Sequence, residues 1–342
     1  MHFPAPLRTF QETMLPAVEE AMQAIVERAH CQADDGLYHM LAYHLGWQGE
    51  GAGPAAQGKR VRPLLLLLTT AATGGQWRRA VPAAAAVELL HNFSLIHDDI
   101  EDRGDTRRGR PTVWKRWGLP LGLNSGDALF TLASIAVLEL HPPTDAAITL
   151  QAARILHQTA LHLTKGQHLD IAYENRPTVS VAAYWQMVEG KTAALLAACT
   201  ELGALLAGAS DARRRAYHEF GRMVGLAFQA WDDYLGIWGD AALTGKSTTG
   251  DLMERKKTLP VLYGLEQGGA FARAWANGSP RTPEEVPALA AALEADGARA
   301  YTEATAASLT GEALQALDKA NPQGPAGEAL RQLALLLLKR AS

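Results

Sequence analysis

The sequence predicts an all-α protein, and three observations support that prediction. Segments rich in alanine and leucine with helical spacing recur along the 342 residues. Alternating runs of Val, Ile, Thr and aromatic residues between turn residues, which would indicate strands, are nearly absent. Hydrophobic residues make up 48% of the chain, which is ample apolar surface for a core. Because no composition shift or linker divides the chain, we expect a single domain over residues 1–342.

Helical periodicity assigns most of the chain to long helices. The predicted helices are residues 11–28, 61–72, 82–102, 126–140, 146–173, 181–206, 212–237 and 325–340. Pro82 suits a first helical turn, where its missing amide hydrogen has no partner to lose. Gly74-Gly75 and Gly268-Gly269 predict helix ends. Residues 48–58 and 268–287 are rich in Gly, Pro and small side chains and are predicted to be loops.

Charge, cysteine content and the N-terminus exclude several classes of protein. The 32 basic and 36 acidic residues give a net charge of -4, which disfavours a protein that binds nucleic acid. Two cysteines are too few for a disulfide framework or a zinc cluster. No uninterrupted apolar segment approaches the roughly 18 residues that span a bilayer, and the first ten residues lack a signal-peptide pattern. We therefore expect a cytoplasmic protein without an integral membrane segment.

The first motif that indicates chemistry is a group of carboxylates at the end of a predicted helix. Asp98, Asp99 and Asp102 follow the apolar residues 87–96. At about 100° per residue, these three side chains fall within an arc of about 100° on one side of the helix. Like charges repel, and the helix dipole disfavours anions at a C-terminus. A compensating cation is therefore expected here.

A second carboxylate pair, Asp232 and Asp233, lies on another apolar helix, between Trp231 and Tyr234. Two acidic clusters on separate helices could face each other across a cavity and hold hard, oxygen-preferring cations. Mg²⁺ is the natural candidate, because it takes few carboxylates and completes its shell with water and phosphate oxygens. No His or Cys spacing indicates zinc.

Basic residues complement both clusters. Residues 58–63 form a basic turn at the start of a helix, a place that favours an anion. Further basic residues follow the first cluster at 103–110 and recur at 191, 246, 256 and 257. A solvated face can account for Arg110, Lys115 and Arg116. Carboxylates that hold Mg²⁺ beside separate Arg and Lys groups indicate a site for two polyanionic substrates, one bound through metal and one bound directly.

In this order, the motifs resemble those of the trans-isoprenyl diphosphate synthases, the polyprenyl synthetase family, over about residues 59–260. The resemblance implies an all-α bundle around a deep central cavity, a homodimer, and Mg²⁺ as cofactor, with three ions expected once diphosphate is bound. The implied substrates are isopentenyl diphosphate and an allylic diphosphate, which is dimethylallyl, geranyl or farnesyl diphosphate.

The same resemblance implies roles for the acidic residues. Asp98 and Asp102, on either side of Asp99, match the ligands of two Mg²⁺ ions on the allylic diphosphate. Asp232, followed by Asp233, matches the ligand of a third ion. All five are expected to be catalytic.

The resemblance also implies roles for basic and polar residues. Isopentenyl diphosphate would be held by Lys59, Arg62, His91 and Arg108. The allylic diphosphate would be held by Arg107, Lys191 and Lys246, and Lys256 matches a basic residue near the diphosphates. Thr192 and Gln229 would line the forming carbocation, and Gln167 and Asp170 match a signature that supports the pocket. His91 precedes Asp98 by seven residues, about 20° away on the same helix face.

The implied reaction is ionisation, condensation and elimination. Mg²⁺ with the allylic-site cations would stabilise the departing diphosphate, and isopentenyl diphosphate would then attack through its double bond. We expect the released diphosphate to accept the proton, so no side-chain base is assigned. Phe93, about 7.5 Å along the helix axis before Asp98, is the expected floor of the cavity. In the family that the motifs resemble, an aromatic residue at this position goes with short products, and the first motif here lacks the two-residue insertion of many bacterial farnesyl synthases. The resemblance therefore implies a geranylgeranyl (C20) product, with farnesyl (C15) next.

One departure from the family pattern leaves alternatives open. The second motif of the family reads DDxxD, but Gly236 stands at its third acidic position, and Asp240 lies one turn further on. A terpene cyclase-like enzyme would also use an aspartate-rich helix, but it needs no second anion site. A non-catalytic partner subunit of a prenyl synthase is supported by Gly236 alone. A di-iron bundle is disfavoured, because no paired Glu-x-x-His is present.

Overall fold

The structure, a computed structural model, describes residues 5–31, 33–239, 250–276, 282 and 284–338. In these residues the regular secondary structure is helical except for one two-stranded hairpin, which confirms the all-α prediction. The chain divides into two compact units. The first unit comprises residues 1–160, 198–214 and 322–330, and the second comprises residues 161–197, 215–321 and 331–342. The expectation of a single domain stays a prediction.

Helices of the N-terminal part dominate the first unit. They are α1 (Ala5–Val26), α2 (Gly36–His44), α3 (Pro54–Gln57), α4 (Val61–Ala72), α5 (Val81–Glu101), α6 (Val113–Trp117), α7 (Leu119–Leu138) and the start of α8 (Ala146–Glu174). Between α5 and α6, strands β1 (Thr106–Arg107) and β2 (Arg110–Pro111) form an antiparallel hairpin. Five consecutive leucines of α4, residues 64–68, are buried, as are residues 83–90 of α5. These two helices therefore form the core that supports the hairpin.

The second unit contains the end of α8 and most of the C-terminal helices. They are α9 (Val181–Val188), a π-helical turn (Glu189–Ala193), α10 (Ala194–Leu206), α11 (Asp211–Trp238), α12 (Gly250–Met253), α13 (Leu259–Gln267), α14 (Ala270–Ala276), α15 (Val286–Ala295), α16 (Ala298–Ala320) and α17 (Gly324–Leu338). Both α10 and α11 also extend into the first unit, as does α17. Ile237, Leu252, Val261, Phe271 and Trp275 belong to one buried apolar cluster of this unit.

Most predicted helices are confirmed, and the differences have local causes. The helix predicted from residue 126 begins at Leu119, since Gly118 precedes it with a φ of 89° and a proline stands in its first turn. The predicted loop 268–287 is wrong where α14 forms, because Phe271 and Trp275 bury their rings in the apolar cluster. The predicted loop 48–58 contains the short helix α3. Of the predicted C-terminal helix, residues 339–340 lie outside the described residues.

By length and composition, α7 is the one described helix that could cross a membrane, with a mean hydropathy of 1.4 over 18 residues. Because Asn124 and Asp127 interrupt its apolar sequence, α7 does not contradict the expectation that no uninterrupted apolar segment reaches such a length, and the absence of a membrane segment stays a prediction. However, 44% of that window is buried, and α7 packs closely on α5. A Cβ at Gly126 would overlap the ring of His97, and one at Gly122 would lie 3.3 Å from Ile100. These contacts pack one side of α7 against α5.

A buried ion pair network fixes the backbone that leads into α4. Arg60 is 4% exposed and has a φ of 46°. Its Nε lies 2.5 Å from Glu19 Oε1, its Nη1 lies 2.9 Å from Glu88 Oε1, and its Nη2 donates to the Leu45 carbonyl at 3.2 Å. One guanidinium therefore joins α1, α5 and the end of α2. It also fixes the chain segment that carries Lys59 and Arg62.

Replacing Arg60 tests how much this network stabilises the fold. Arg60→Met leaves Glu88, which is 2% exposed, without its counter-charge. We expect the free energy of unfolding to fall by about 3–5 kcal/mol, as when one partner of a buried pair is removed. Denaturant unfolding followed by circular dichroism measures the change. Arg28→Met, which removes the exposed pair with Glu139, is the control and should change stability by less than about 1 kcal/mol. Equal effects of the two substitutions would contradict the assignment.

Candidate active site

The three carboxylates at the end of α5 have different surroundings. Asp99 is buried, Asp98 is half-buried and Asp102 is exposed. The Nε of Arg107 donates to both oxygens of Asp99, at 2.8 and 3.0 Å, and its Nη2 lies 2.8 Å from Oδ1. Burial raises the pKa of Asp99, while the Arg107 guanidinium lowers it. Asp99 therefore orients Arg107, whereas Asp98 and Asp102 present carboxylates that water can reach.

The hairpin after α5 places the next two cationic residues. Arg107 pairs with Arg110 across the strands, so that Arg108 and Gly109 form a two-residue turn. Their φ values are 52° and 75°, as a type I′ turn requires. The Nη1 of Arg108 donates to the carbonyls of Ala56 and Gln57, at 2.8 Å each. Arg108 therefore links the hairpin to the segment that leads to Lys59, which is itself exposed.

Arg110 is not a solvated charge, contrary to the sequence interpretation. It is buried, and its guanidinium donates to three carbonyls, those of Tyr43 at 2.8 Å, Gln48 at 2.7 Å and Glu50 at 2.9 Å. The guanidinium also lies 3.8 Å from the centre of the Tyr43 ring. Lys115 and Arg116 are exposed, as expected. The fork of Arg110 therefore holds the glycine-rich segment against the hairpin.

A cluster of arginines surrounds two histidines in the first unit. Arg62 Nη1 lies 3.1 Å from His91 Nε2. Burial holds the pKa of His91 well below its usual range, and the charges of Arg62, Arg108 and other arginines lower it further. His91 is therefore neutral, and its Nε2 accepts from Arg62. The Nε of Arg62 is buried without a hydrogen-bond partner, so an anion at this place would relieve both the charge crowding and the unmet donor.

His44 is a neighbour of this cluster to which no sequence pattern pointed. It lies at the end of α2 and lines a small cavity of about 20 Å³ with Asp99, Arg107 and Arg108. Burial, followed by the charges of the two arginines, lowers the pKa of His44 to about 3. His44 is therefore a neutral residue behind the cationic hairpin.

Phe93 belongs to an aromatic group on α5 and α7. Its ring centre lies 5.2 Å from that of Phe130 and 4.8 Å from that of His97. The Phe130 ring lies 6.1 Å from that of His157 on α8. Phe93 is half-buried and lies five residues, about 1.4 turns of helix, before Asp98. A half-buried aromatic wall at this depth is consistent with the predicted limit on chain length, which stays a prediction.

In the second unit, Asp233 organises three helices. It is buried and accepts hydrogen bonds from Tyr184 Oη at 2.6 Å, the Leu259 amide at 2.8 Å and Gln229 Nε2 at 2.8 Å. These donors come from α9, α13 and α11. Burial nevertheless raises the pKa of Asp233 to about 7. Asp232 beside it is half-buried, so the two aspartates differ in the same way as Asp99 and Asp98.

The predicted carbocation residues lie in the same hydrogen-bond chain. Thr192 Oγ1 donates to Gln229 Oε1 at 3.0 Å, and Gln229 in turn donates to Asp233. The structure therefore brings together Thr192, Gln229 and Asp233, which are separated by up to 41 residues in the sequence.

Lys191 and Thr192 lie on the π-helical turn, a feature common at functional sites. Lys191 forms an ion pair with Asp170 of α8. A Cβ at Gly166 would overlap the backbone of Lys191, and one at Gly190 would lie 2.7 Å from the His162 carbonyl. The two glycines therefore permit the close approach of α8 that sets the Lys191 to Asp170 pair. Gln167 follows Gly166 on α8 and is half-buried.

The remaining predicted residues lie near the chain segment after α11. Lys246 and Asp240 lie outside the described residues. Lys256 is exposed, and its Nζ lies 2.9 Å from Glu254 Oε2. Lys257 donates to the carbonyls of Tyr173, Glu174 and Arg176, and therefore caps the end of α8.

The available carboxylates fit Mg²⁺ better than a metal held by protein alone. Within the described residues, no three or more His, Cys, Asp or Glu side chains converge as a metal cage. Mg²⁺ is commonly held by one or two carboxylates together with substrate phosphates and water. Asp98 and Asp232 are half-buried and Asp102 is exposed, and their carboxylates would supply the oxygen donors that Mg²⁺ prefers.

Comparison with known proteins identifies the family of the chain. The sequence model of the polyprenyl synthetase family matches residues 53–295. The (2E,6E)-farnesyl diphosphate synthase of Mycobacterium tuberculosis is 41% identical over 304 residues, which are 85% of this chain and 84% of that protein. The geranylgeranyl diphosphate synthase of the same organism is 45% identical over 243 residues, 70% of this chain and 69% of that protein.

Solved structures give the same result. A polyprenyl synthetase from Streptomyces coelicolor superposes with a TM-score of 0.84 at 37% identity, over 98% of this chain and 99% of that one. A geranylgeranyl pyrophosphate synthetase from Pyrococcus horikoshii superposes with a TM-score of 0.86 at 29% identity, over 98% of each chain. The chain therefore belongs to the polyprenyl synthetase family and is a short-chain prenyl diphosphate synthase, a prenyltransferase of the all-α isoprenoid synthase fold.

Proposed function

We propose that this prenyltransferase condenses isopentenyl diphosphate with an allylic diphosphate and releases mainly geranylgeranyl diphosphate, with farnesyl diphosphate next. The observation that carries the proposal is the presence, in one unit, of two separate diphosphate-binding chemistries. Asp98 and Asp102 supply carboxylates for a metal-bound diphosphate, and Arg62 beside His91 supplies donors for a second one.

The allylic diphosphate is held by metal and by cations that are already oriented. Asp98, Asp102 and Asp232 are the proposed ligands of three Mg²⁺ ions, which when bound would neutralise charge on the leaving diphosphate. Asp99 orients Arg107, and Asp170 orients Lys191. Cations fixed before the reaction stabilise the developing charge without reorganisation. The family pattern also assigns Lys246 to the allylic diphosphate. In that pattern, the position of Lys256 is a basic residue near the diphosphates.

Isopentenyl diphosphate is held by the second set of cations, Lys59, Arg62, His91 and Arg108. Neutral His91 contributes a hydrogen bond rather than a charge, because its pKa is so low. The double bond attacks the allylic cation, and the released diphosphate accepts the proton that leaves. Thr192 and Gln229 orient their dipoles along the path of the cation, supported by Asp233 and Tyr184. Orientation of the two substrates supplies much of the rate acceleration.

The arginine cluster also favours the chain-elongating synthase over the other candidate functions. A terpene cyclase needs no second anion site, so the buried Arg62 Nε without a partner favours the chain-elongating enzyme. A non-catalytic partner subunit has only Gly236 in its favour, while the first acidic motif is intact. Incubating the purified chain alone with isopentenyl diphosphate, an allylic diphosphate and Mg²⁺ tests both, since consumption of isopentenyl diphosphate is specific to the elongating enzyme.

We further infer that the chain acts as one domain in a cytoplasmic homodimer. In the first unit, large leucines of α7 and α8 are 44–62% exposed: Leu119, Leu121, Leu123, Leu138 and Leu150. A group of exposed leucines of this kind is typical of a protein interface. A second copy of the chain is the partner that the family pattern favours.

The product range is the direct test of the proposed function. With isopentenyl diphosphate and Mg²⁺, we expect C5, C10 and C15 allylic primers all to be elongated, and the dephosphorylated alcohols to be mainly C20. Chelation of Mg²⁺ should abolish turnover, because both acidic motifs act through metal. Sizing the alcohols by chromatography measures the outcome. Elongation of none of the primers would contradict the proposal.

Replacing a proposed metal ligand tests the first acidic motif. Asp98→Ala should lower kcat by at least about 10²-fold, as when one charge-stabilising group is lost. Steady-state assays at saturating substrates measure the change. Asp105→Ala, which removes an exposed carboxylate paired with Lys115 just beyond the motif, is the control and should leave kcat near that of the unmodified enzyme. Near-normal turnover of Asp98→Ala would mean that the metal assignment is wrong.

Removing the aromatic floor tests the limit on chain length. Phe93→Ala opens space beside Phe130, so the growing prenyl tail should extend further and the main product should lengthen. Radiolabelled products sized after dephosphorylation show the shift. Phe93→Tyr keeps the ring and should keep the original product. An unchanged product in Phe93→Ala would remove Phe93 from this role.

Charging the exposed leucine surface tests the homodimer. Leu123→Glu places a charge among the exposed leucines of α7 and should shift the chain from dimer to monomer. Light scattering coupled to gel filtration measures the mass. Glu12→Lys, an exposed charge change on α1, should leave the mass unchanged. A mass unaffected by Leu123→Glu would place the interface elsewhere.

A further inference from the structure

The space at the third acidic position of the second motif is filled by a carboxylate from another part of the chain. Gly236 is buried on α11. A Cβ built on Gly236 would overlap Oδ2 of Asp251 and lie 3.1 Å from its Cγ. The Asp251 carboxylate therefore occupies the place that a side chain at position 236 would take. Both residues belong to the second unit.

This placement puts the carboxylate of Asp251 beside the face of α11 that carries Asp232, the proposed metal ligand. Gly236 follows Asp232 by four residues, and positions four apart on a helix are neighbours, about 5–6 Å between Cβ atoms. The Asp251 carboxylate therefore lies about one helical turn from Asp232 along α11. Asp233 does not compete for this place, because Tyr184, Gln229 and Leu259 hold its carboxylate.

The position of Asp251 is fixed by its neighbour in α12. Leu252 is fully buried in the apolar cluster that also contains Ile237, the residue after Gly236. The carbonyl of Asp251 accepts the Lys256 amide at 2.9 Å, which closes the chain after α12. The side chain of Leu252 thus holds α12 against the end of α11, and the half-buried carboxylate of Asp251 is brought to Gly236 as a consequence.

We propose that Asp251 supplies the third carboxylate of the second acidic motif, and that Gly236 is the residue that admits it. The proposal rests on the proposed function, since it gives Asp251 a role at the Asp232 metal site. Mg²⁺ keeps several of its waters in such sites, and a nearby carboxylate orients those waters by accepting their hydrogen bonds. Asp251 is therefore a positioning residue that strengthens metal binding at Asp232.

The proposal predicts that a side chain at position 236 and the carboxylate of Asp251 cannot occupy the same space. Gly236→Ala should displace the Asp251 carboxylate and weaken metal binding, although no charge is removed. Gly236→Asp in the Asp251→Ala background should restore a carboxylate to the same space. The double substitution is thus expected to bind metal better than Asp251→Ala alone.

Metal binding without turnover tests the assignment. Mn²⁺, as a paramagnetic substitute for Mg²⁺, is titrated into the full chain with inorganic pyrophosphate, and free Mn²⁺ is measured by electron paramagnetic resonance. Asp251→Asn should raise the apparent Kd of the weakest Mn²⁺ site by about 10-fold or more, the effect of losing a group that supports a metal ligand. Gly236→Ala should act in the same direction. Glu303→Gln, an exposed acid on α16, should bind as the unmodified chain does.

The outcomes separate this proposal from the proposed function. Unmodified chain that binds no Mn²⁺ with pyrophosphate would overturn the diphosphate synthase mechanism and the role of Asp251 together. Unmodified chain that binds Mn²⁺, with equal binding by Asp251→Asn, would overturn the role of Asp251 alone. Failure of the Gly236→Asp and Asp251→Ala double variant to bind better than Asp251→Ala would also overturn it.

Discussion

The site depends on one constraint, which is that charge taken out of water must be paired. In the first unit, four arginines at positions 60, 62, 107 and 108 lie close enough that the charges of several lower the pKa of His91. Glu19 and Glu88 pair with Arg60, and Asp99 pairs with Arg107. Arg62 and Arg108 have no carboxylate partner among the ion pairs of the described residues, and this surplus of positive charge makes the pocket a binding place for an anion.

The same constraint gives the two adjacent aspartates of each acidic motif different surroundings. An aspartate that is buried must satisfy its oxygens with protein donors, as Asp99 does with Arg107 and Asp233 does with Tyr184, Gln229 and Leu259. The neighbouring aspartates, Asp98 and Asp232, are half-buried and are the proposed metal ligands. Adjacent aspartates on a helix point about 100° apart, so one carboxylate of each pair lies among protein donors while the other lies nearer the solvent, where we propose that it binds metal.

Most helices and the candidate acidic residues could be predicted from the sequence, because helical periodicity and short motifs depend on residues that are near in the chain. The boundaries of α4 and the positions of the acidic motifs follow from such local patterns. The buried state of Asp99 and the role of Arg110 could not be predicted in this way. Arg110 bonds to carbonyls at positions 43, 48 and 50, about 60 residues earlier, and no local pattern records such contacts. The helix α14 was missed for a related reason, since its stability comes from the burial of Phe271 and Trp275 against residues of other helices.

Several arginines adopt a left-handed backbone conformation, and their side chains explain why it persists. Arg60, Arg108 and Arg255 have φ values of 46°, 52° and 55°, which cost of order 1 kcal/mol or more for a residue with a Cβ. Each side chain is anchored far along the chain, Arg60 on Glu88, Arg108 on the Ala56 carbonyl and Arg255 on the Trp275 carbonyl. Glycine would relieve the backbone at each position but would release the two segments that the guanidinium joins. The hydrogen bonds of each side chain therefore offset the backbone strain, and those of Arg60 and Arg108 fix the chain segments that form the cationic pocket.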